Sequence, residues 1–341
     1  MSEMTPQPDP SVIMELLEAF RRSKTMFAAV SLGIFDNLEE EPKSLAGLAK
    51  AMDLNPDALE RLLDACIGLQ LLDRQGDAYQ NTPVASAYLC KRSASRLTGY
   101  IGYSNDVMWK LWANLEGAIR EGTHRWQQTF GWDGPIFSHF FRTEEALREF
   151  LMGMHGYGLI SSPQVVKAFD LGRFHKLVDL GGATGHLAIA ACQRYPNLRA
   201  VVFDLPGAVS LAREIVGASP AADRIEVTPG DFFTDPLPEA DLYALGRILH
   251  DWSEPKVLDL LKRIFDRLAP DGALLIAEKL LDEDKRGPRW AQMQNLNMLT
   301  CTEGKERTLS EYETLLKQVG FSQVSGAKTP APLDAVLAVK G

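Results

Sequence analysis

Leu177-Val178-Asp179-Leu180-Gly181-Gly182-Ala183-Thr184-Gly185-His186-Leu187-Ala188-Ile189 sets the architecture of this chain. An apolar run (Leu177, Val178, Leu180) stops at two glycines, and an alanine-rich run to Cys192 follows. That order predicts a buried parallel strand, a tight turn and the start of a helix. Gly181, Gly182 and Gly185 let a ligand approach the main chain where a β-carbon would clash, and the helix start offers unpaired N–H groups. The glycines fall at i, i+1 and i+4, so neither the G-x-G-x-x-G fingerprint nor a G-x-x-x-x-G-K-[ST] loop is present, and pyrophosphate is not the expected ligand. Asp179, an acid inside the strand, suits a cationic ligand group or its ordered water; the plainer reading is that it caps the turn.

Outward from this turn, strand-like and helix-like stretches alternate. Residues 177–180, 200–203, 225–228, 241–245 and 273–277 read as strands, with helices beginning near Gly185, Pro206 and Ser253. The alternation demands a parallel sheet covered on both faces. Thr308-x-x-Glu311 is a capping box opening a last helix, and residues 321–324 with 335–339 close the sheet as a terminal hairpin.

Upstream the pattern changes. Val12, Ile13, Leu16, Leu17 and Phe20 repeat at helical spacing, and Met26, Phe27, Val30, Ile34, Phe35 and Leu38 continue past Gly33. These apolar faces exceed what a small domain needs to cover itself, so a second copy of the chain is expected against them. A helix over residues 45–52 and another capped by Asn55, with Pro56 in its first turn, precede a hairpin of residues 71–74 and 78–81. This is the outline of a winged helix, but its second helix carries Asp57, Glu60 and Asp64 against Arg61, which phosphates would repel. Residues 100–169 are helical and rich in aromatics; most of these belong to the core, while Phe141 and side chains near Met152 and Met154 could wall a pocket for a flat substrate. The expected division is a winged-helix-like domain over residues 1–100, a helical linker region over 101–170 contributing to that pocket, and an α/β ligand-binding domain over 171–341.

Composition narrows the function classes. With 341 residues, 45% of them hydrophobic and 24% charged, the chain is long enough for two globular domains. A net charge of −9 disfavours nucleic acid and anionic membrane as partners. No stretch approaches about 18 uninterrupted apolar residues, and the first residues lack a basic region and hydrophobic core, so neither a membrane span nor a signal peptide is expected. A cytoplasmic address follows. Cys66, Cys90, Cys192 and Cys301 form no C-x-x-C pair, which predicts reduced thiols rather than disulfides or a zinc site.

In an open α/β sheet, ligands bind beyond the carboxyl ends of the strands, so the residues that end the strands are the candidate site. Asp204, 23 residues beyond Gly181, can grip ribose hydroxyls; as a plainer role it would cap the helix at Pro206. In Gly230-Asp231-Phe232-Phe233, Asp231 can accept from an exocyclic amine while Phe232 covers a base. The fourth strand runs into Gly246-Arg247-Ile248-Leu249-His250-Asp251-Trp252, placing a histidine at the ligand end beside an acid that could orient it. Glu278 ends the fifth strand, where a buried carboxylate needs a partner. Glu303 and Glu306 follow, and their plainer reading is a solvated loop in which Glu306 pairs with Arg307 or Lys305.

Together, Asp-Leu-Gly-Gly-Ala-Thr-Gly, Val-Phe-Asp-Leu-Pro, Gly-Asp-Phe-Phe, Ile-Leu-His-Asp-Trp, Leu-Leu-Asp-Glu-Asp and Glu-Gly-Lys-Glu-Arg-Thr resemble the S-adenosylmethionine-dependent O-methyltransferases of the hydroxyindole and caffeate type, and within them the acetylserotonin O-methyltransferase group. The resemblance runs from about Val12 to the C-terminus. It implies a class I methyltransferase domain, Rossmann-like with a seven-stranded, mostly parallel sheet, and a homodimer whose N-terminal helices interlock. It implies that Asp179, Gly181, Asp204, Gly230, Asp231, Phe232 and Arg247 hold S-adenosylmethionine and that His250 is the base, flanked by Glu278 and Glu306. Phe141, Met154, Asp251, Asn297, Met298 and Cys301 would lie near the acceptor. Ala183 stands where a third consecutive glycine is common, a harmless departure. Cys301 stands where the animal acetylserotonin enzymes carry a glutamine, so N-acetylserotonin itself is not implied.

The chemistry agrees independently. A methyl sulfonium is an activated electrophile, so the protein must align it with an acceptor oxygen and remove that oxygen's proton. A histidine of ordinary pKa, about 6.5, is mostly neutral near pH 7 and can accept it. No metal is required. The competing readings are a protein that binds S-adenosylmethionine without transferring methyl and serves as an interaction module, against which the intact His250, Glu278 and Glu306 stand, and a nicotinamide dehydrogenase, disfavoured by the glycine spacing.

Overall fold

The computed structural model describes residues 8–134 and 143–341, which divide into two compact units, Met1–Asn105 and Asp106–Gly341. Phe141, with Phe137 and Phe140, lies outside the described residues.

In the first unit one helix, Ser11–Leu32, takes up the first apolar series and the second as far as Val30. It ends at Gly33, whose φ of 78° is the left-handed conformation that stops a helix, and a single turn, Ile34–Asn37, follows. Ser44 and Asn55 cap the helices Leu45–Met52 and Pro56–Gly68 by accepting from the N–H groups of Gly47 and Ala58. The hairpin forms strands β2 (Leu72–Gln75) and β3 (Ala78–Asn81), joined by the two-residue β1 (Lys43–Ser44) in the order β1-β3-β2. Ile34, Phe35, Leu48, Leu63 and Tyr79 form a sealed core. The opposite holds for Val12, Leu16, Leu17 and Phe20, each more than half exposed along one face of the first helix. Among the described residues no helix is long and apolar enough to cross a membrane.

The second unit is built on a seven-stranded sheet of order β6-β5-β4-β7-β8-β10-β9. β4 (Lys176–Leu180), β5 (Arg199–Asp204), β6 (Ile225–Pro229), β7 (Leu242–Gly246) and β8 (Ala273–Glu278) run parallel, while β10 (Asp334–Lys340) lies antiparallel between β8 and β9 (Phe321–Ala327). Alternate side chains serve two cores. Leu177, Ala200, Val202, Leu242 and Leu275 pack under Leu187, Ala191 and Val209, whereas Val178, Val201, Phe203, Leu245 and Ile276 pack against Val257, Leu261, Ile264 and Tyr312. The order reverses between β4 and β7, and the parallel register brings Leu180 opposite both Phe203 and Leu245 and Gly246 opposite Ala277. The carboxyl ends of five strands therefore share one sheet edge, where ligands bind in such folds.

Candidate active site

The glycine turn is held from below by acids. Gly181 (φ 66°) and Gly185 (φ 78°) take left-handed conformations, and a β-carbon on Gly181 would lie 2.5 Å from Ile248 Cδ1 and 3.3 Å from the Phe232 ring. Asp179 is buried beneath the turn and accepts at 3.3 Å from the N–H of Ala188, in the first turn of the helix His186–Arg194. Asp204 does not cap the helix at Pro206, whose N-cap is Leu205. Its carboxylate instead ties two loops, accepting from Ala183 N–H and from Leu205 N–H, both at 2.7 Å. Burial raises the Asp179 carboxyl to about 7, with the Asp204 charge adding, and burial raises Asp204 to about 6 against its two N–H donors.

Asp231 accepts from the Phe233 N–H at 2.8 Å, and the Phe232 ring meets Phe233 edge-on at 4.8 Å. A β-carbon on Gly230 would lie 2.1 Å from the Phe203 ring, so packing alone requires that glycine. The helix Glu144–Val165 backs the turn from another side: His155 Nδ1 lies 2.8 Å from Thr184 Oγ1, and Ser162 Oγ 2.9 Å from His186 Nδ1. Arg247, at φ 59°, sets its guanidinium over the Tyr157 ring at 4.5 Å, and Trp290 stacks on that ring.

Beyond β7 the chain makes a tight turn at Leu249–Asp251 that buries His250. Glu306 is not a solvated loop residue. It is 2% exposed, and its Oε1 lies 2.6 Å from His250 Nδ1. Glu303 does behave as a loop residue, pairing with Lys256 at 2.8 Å. Glu278 accepts from the His250 main-chain N–H at 3.1 Å with Oε1 and from the Tyr312 hydroxyl with Oε2. It thus holds the peptide of His250, while Glu306 holds the ring. His250 Nε2 lies 3.7 Å from Asp251 Oδ1, outside hydrogen-bond distance.

Burial works to lower the His250 pKa, but the charges of Glu306, Asp251 and Glu278 outweigh it and raise it to about 9. The direction is the reverse of what burial alone would give: in the ligand-free protein the surrounding carboxylates favour the protonated ring. Donor atoms of His250, Glu278 and Glu306 fall within 4.8 Å of one another, a spacing that a metal could use. The hydrogen bonds just described already occupy His250 Nδ1 and both oxygens of Glu278.

The helix Arg289–Cys301 carries the remaining candidates. Met298 and Cys301 are buried, Cys301 Sγ lies 3.0 Å from the Asn297 carbonyl oxygen, and Trp112 Nε1 donates to Asn297 Oδ1 at 2.7 Å. Met154 is half-buried on the helix that backs the glycine turn. Supports missed in the sequence are Tyr312, Asn295, whose Oδ1 accepts from the Glu306 N–H at 3.0 Å, and Arg307, which donates to the Leu249 carbonyl at 3.1 Å. Gly304 is another: a β-carbon there would lie 2.2 Å from the His250 carbonyl oxygen.

Comparison with known proteins gives this geometry a family. A model of the O-methyltransferase domain matches residues 112–322, and one of the O-methyltransferase dimerisation domain matches residues 14–91. A probable bifunctional dTTP/UTP pyrophosphatase/methyltransferase protein of Homo sapiens is 42% identical over 336 residues, covering 98% of this chain; the chain spans 54% of that protein's length. Acetylserotonin O-methyltransferase of Macaca mulatta is 40% identical, with 96% of this chain and 97% of that protein covered. The crystal structure of human N-acetylserotonin methyltransferase in complex with SAM superposes with a TM-score of 0.92 at 38% identity, covering 99% of this chain and 100% of that one. With an O-methyltransferase domain laid over the sheet-edge site and the family's dimerisation domain over the first unit, the chain belongs to the O-methyltransferase family.

Proposed function

We propose that this chain transfers the methyl group of S-adenosylmethionine to a hydroxyl of a small aromatic acceptor, a hydroxyindole or a phenol, with His250 as general base and no metal. The observation that carries the reading is the 2.6 Å Glu306–His250 pair at the ligand end of β7, on the same sheet edge as the glycine turn that ends β4. The residues suit the donor. Each Asp204 oxygen holds one N–H and keeps a lone pair for a ribose hydroxyl, while Asp231 accepts from the adenine amine and Phe232 covers the base. Gly181 and Gly230 border the donor site with Arg247, and a cationic donor would favour the ionised forms of Asp179 and Asp204. When bound, the sulfonium supplies an activated methyl, so what remains for the chain is alignment and proton removal.

In its neutral form, with Nδ1 fixed by Glu306, His250 receives the hydroxyl proton at Nε2, and the Glu306, Asp251 and Glu278 surroundings favour the imidazolium that results. Met154, Asp251, Asn297, Met298 and Cys301 line the acceptor side, and Phe141 joins them as an expectation from the sequence. The exposed stripe on the first helix is covered by a second copy in a homodimer with interlocked helices. Four free, buried cysteines accord with a cytoplasmic address.

The test is transfer of labelled methyl from S-adenosylmethionine across hydroxyindoles, catechols and polyketide phenols, with and without a chelator. An O-methyl product in both arms is expected. Loss restored by magnesium would overturn the metal-free mechanism. Thermal stabilisation by S-adenosylmethionine with no transfer to any acceptor would leave a binding module instead.

A further inference from the structure

We propose that Tyr312, a core residue of a C-terminal helix, is a positioning residue for His250, acting through Glu278. It rests on the proposed role of His250 as base. Tyr312 is fully buried on the helix Leu309–Val319, and its hydroxyl donates to Glu278 Oε2. The other oxygen of the same carboxylate accepts the His250 N–H at 3.1 Å. One carboxylate thus links a phenol on a C-terminal helix to the peptide that carries the imidazole. Arg307 braces the same peptide group from its other side, donating to the Leu249 carbonyl, and its guanidinium lies 5.8 Å from the centre of the Tyr312 ring.

The hydroxyl does more than fill space. Burial pushes the Glu278 carboxyl up, with Glu306 adding to the rise, while His250, the Tyr312 hydrogen bond and Arg307 oppose it. Removing the hydrogen bond withdraws one of the forces that keep Glu278 ionised. The charged groups acting on His250 are Glu306 from its loop, Asp251 from its own turn and Glu278 from β8. If Glu278 takes up a proton, His250 loses one of three negative neighbours and becomes a weaker base.

Tyr312→Phe removes the hydroxyl and keeps the ring. We expect the limiting kcat on the plateau above the acid limb to fall about tenfold with KM for S-adenosylmethionine unchanged, and the acid limb of the pH–rate profile to move to lower pH. Glu278→Gln should move the limb the same way, and the double variant should be no worse than Glu278→Gln alone. The His250 imidazole, titrated by NMR in the full-length protein, should show the same downward shift without any need for turnover. A natively folded Tyr312→Phe protein with wild-type limb, rate and imidazole titration would overturn the proposal, because a structural role alone lowers Tm and leaves those readouts in place. If Tyr312→Phe does not fold, fluorotyrosine at position 312 keeps the hydroxyl as a stronger donor and should raise the imidazole titration; no change would overturn the proposal. A wild type that transfers no methyl but shows the NMR shift in Tyr312→Phe would refute the base reading and retain the Tyr312–Glu278–His250 linkage.

Discussion

At the glycine turn Asp179 and Asp204 are held by main-chain N–H groups and both rise in pKa, whereas beyond the ends of β7 and β8 the buried acids Glu278 and Glu306 surround a histidine whose pKa their charge raises. The first arrangement is a set of acids leaning toward neutrality. The second is a buried histidine whose acidic neighbours favour its protonated form. A cationic methyl donor is matched by the first, and a group that gains a proton during reaction is matched by the second. The two lie on one sheet edge because five strands run parallel and end together.

The sharpest way to break the contrast is to remove the proton acceptor alone. His250→Gln keeps a hydrogen-bonding side chain but cannot take the proton, so kcat should fall by about 10²-fold or more with S-adenosylmethionine affinity unchanged. An acceptor of nitrophenol type, already ionised at neutral pH, should be methylated by the variant nearly as fast as by wild type. Wild-type turnover of an ordinary phenol would make His250 structural.

Asp204→Ala attacks the other half. Loss of a carboxylate facing two hydroxyls should weaken S-adenosylmethionine binding by about tenfold or more, read by calorimetry, with a smaller effect on proton transfer. Because Asp204 also ties Ala183 to Leu205, some destabilisation should accompany the loss. Unchanged affinity would refute the ribose assignment.

Acid titration compares the two halves in one experiment. Asp179, Asp204, Asp251 and His250 all have raised folded pKa values, of about 7, 6, 6 and 9, so each contributes stability at low pH that is lost as pH rises through its folded value. The carboxyls act between their ordinary range and pH 7, and His250 acts between about 6.5 and 9. His250 alone corresponds to a change on the order of 3 kcal/mol, several degrees in Tm for a unit of this size. In the ligand-free protein Tm should therefore drop from pH 6.5 to 9, and His250→Gln should flatten that drop while leaving the one below pH 7. A wild-type Tm that is level across this range would deny the charged histidine.

Which parts of this were legible in the sequence follows from the range of the interactions. Strand, turn and helix at residues 176–194 are local, and the glycines and apolar period reveal them. Asp204, Asp231 and His250 stand out in the sequence because strand ends in a parallel sheet converge, a rule of topology. Tyr312, Arg307 and Asn295 do not, because each sits in an ordinary helix or loop pattern and meets the site only after folding, Tyr312 reading as one more core residue of an amphipathic helix. The charge on His250 was equally hidden, since it depends on carboxylates arriving from three separate segments. The role of Glu278 was half legible: an acid at the end of β8 needs a partner, but that the partner is a peptide N–H rather than the ring is a matter of register.

The smallest expected effect tests whether Asp204 shapes the turn it helps to form. Ala183 has φ 49°, so the harmless departure from glycine lies in a left-handed conformation that costs an ordinary residue about 1–2 kcal/mol. Glycine would relieve this but loses up to about 1 kcal/mol more chain entropy on folding, and it gives up the Ala183 methyl, which packs beside Leu151, Ala208 and Leu211. These contributions nearly cancel, so Ala183→Gly should change stability by about 1 kcal/mol or less, toward stabilisation, with S-adenosylmethionine affinity unaltered. The informative measurement is the same substitution in the Asp204→Ala background. The Asp204 carboxylate holds the Ala183 N–H at 2.7 Å and so helps to enforce the strained conformation. Once that tether is gone, Ala183 can relax and glycine should bring no gain. If Ala183→Gly stabilises both backgrounds equally, the turn is shaped by Gly181, Gly182 and Gly185 alone, and Asp204 is left with its ligand role only.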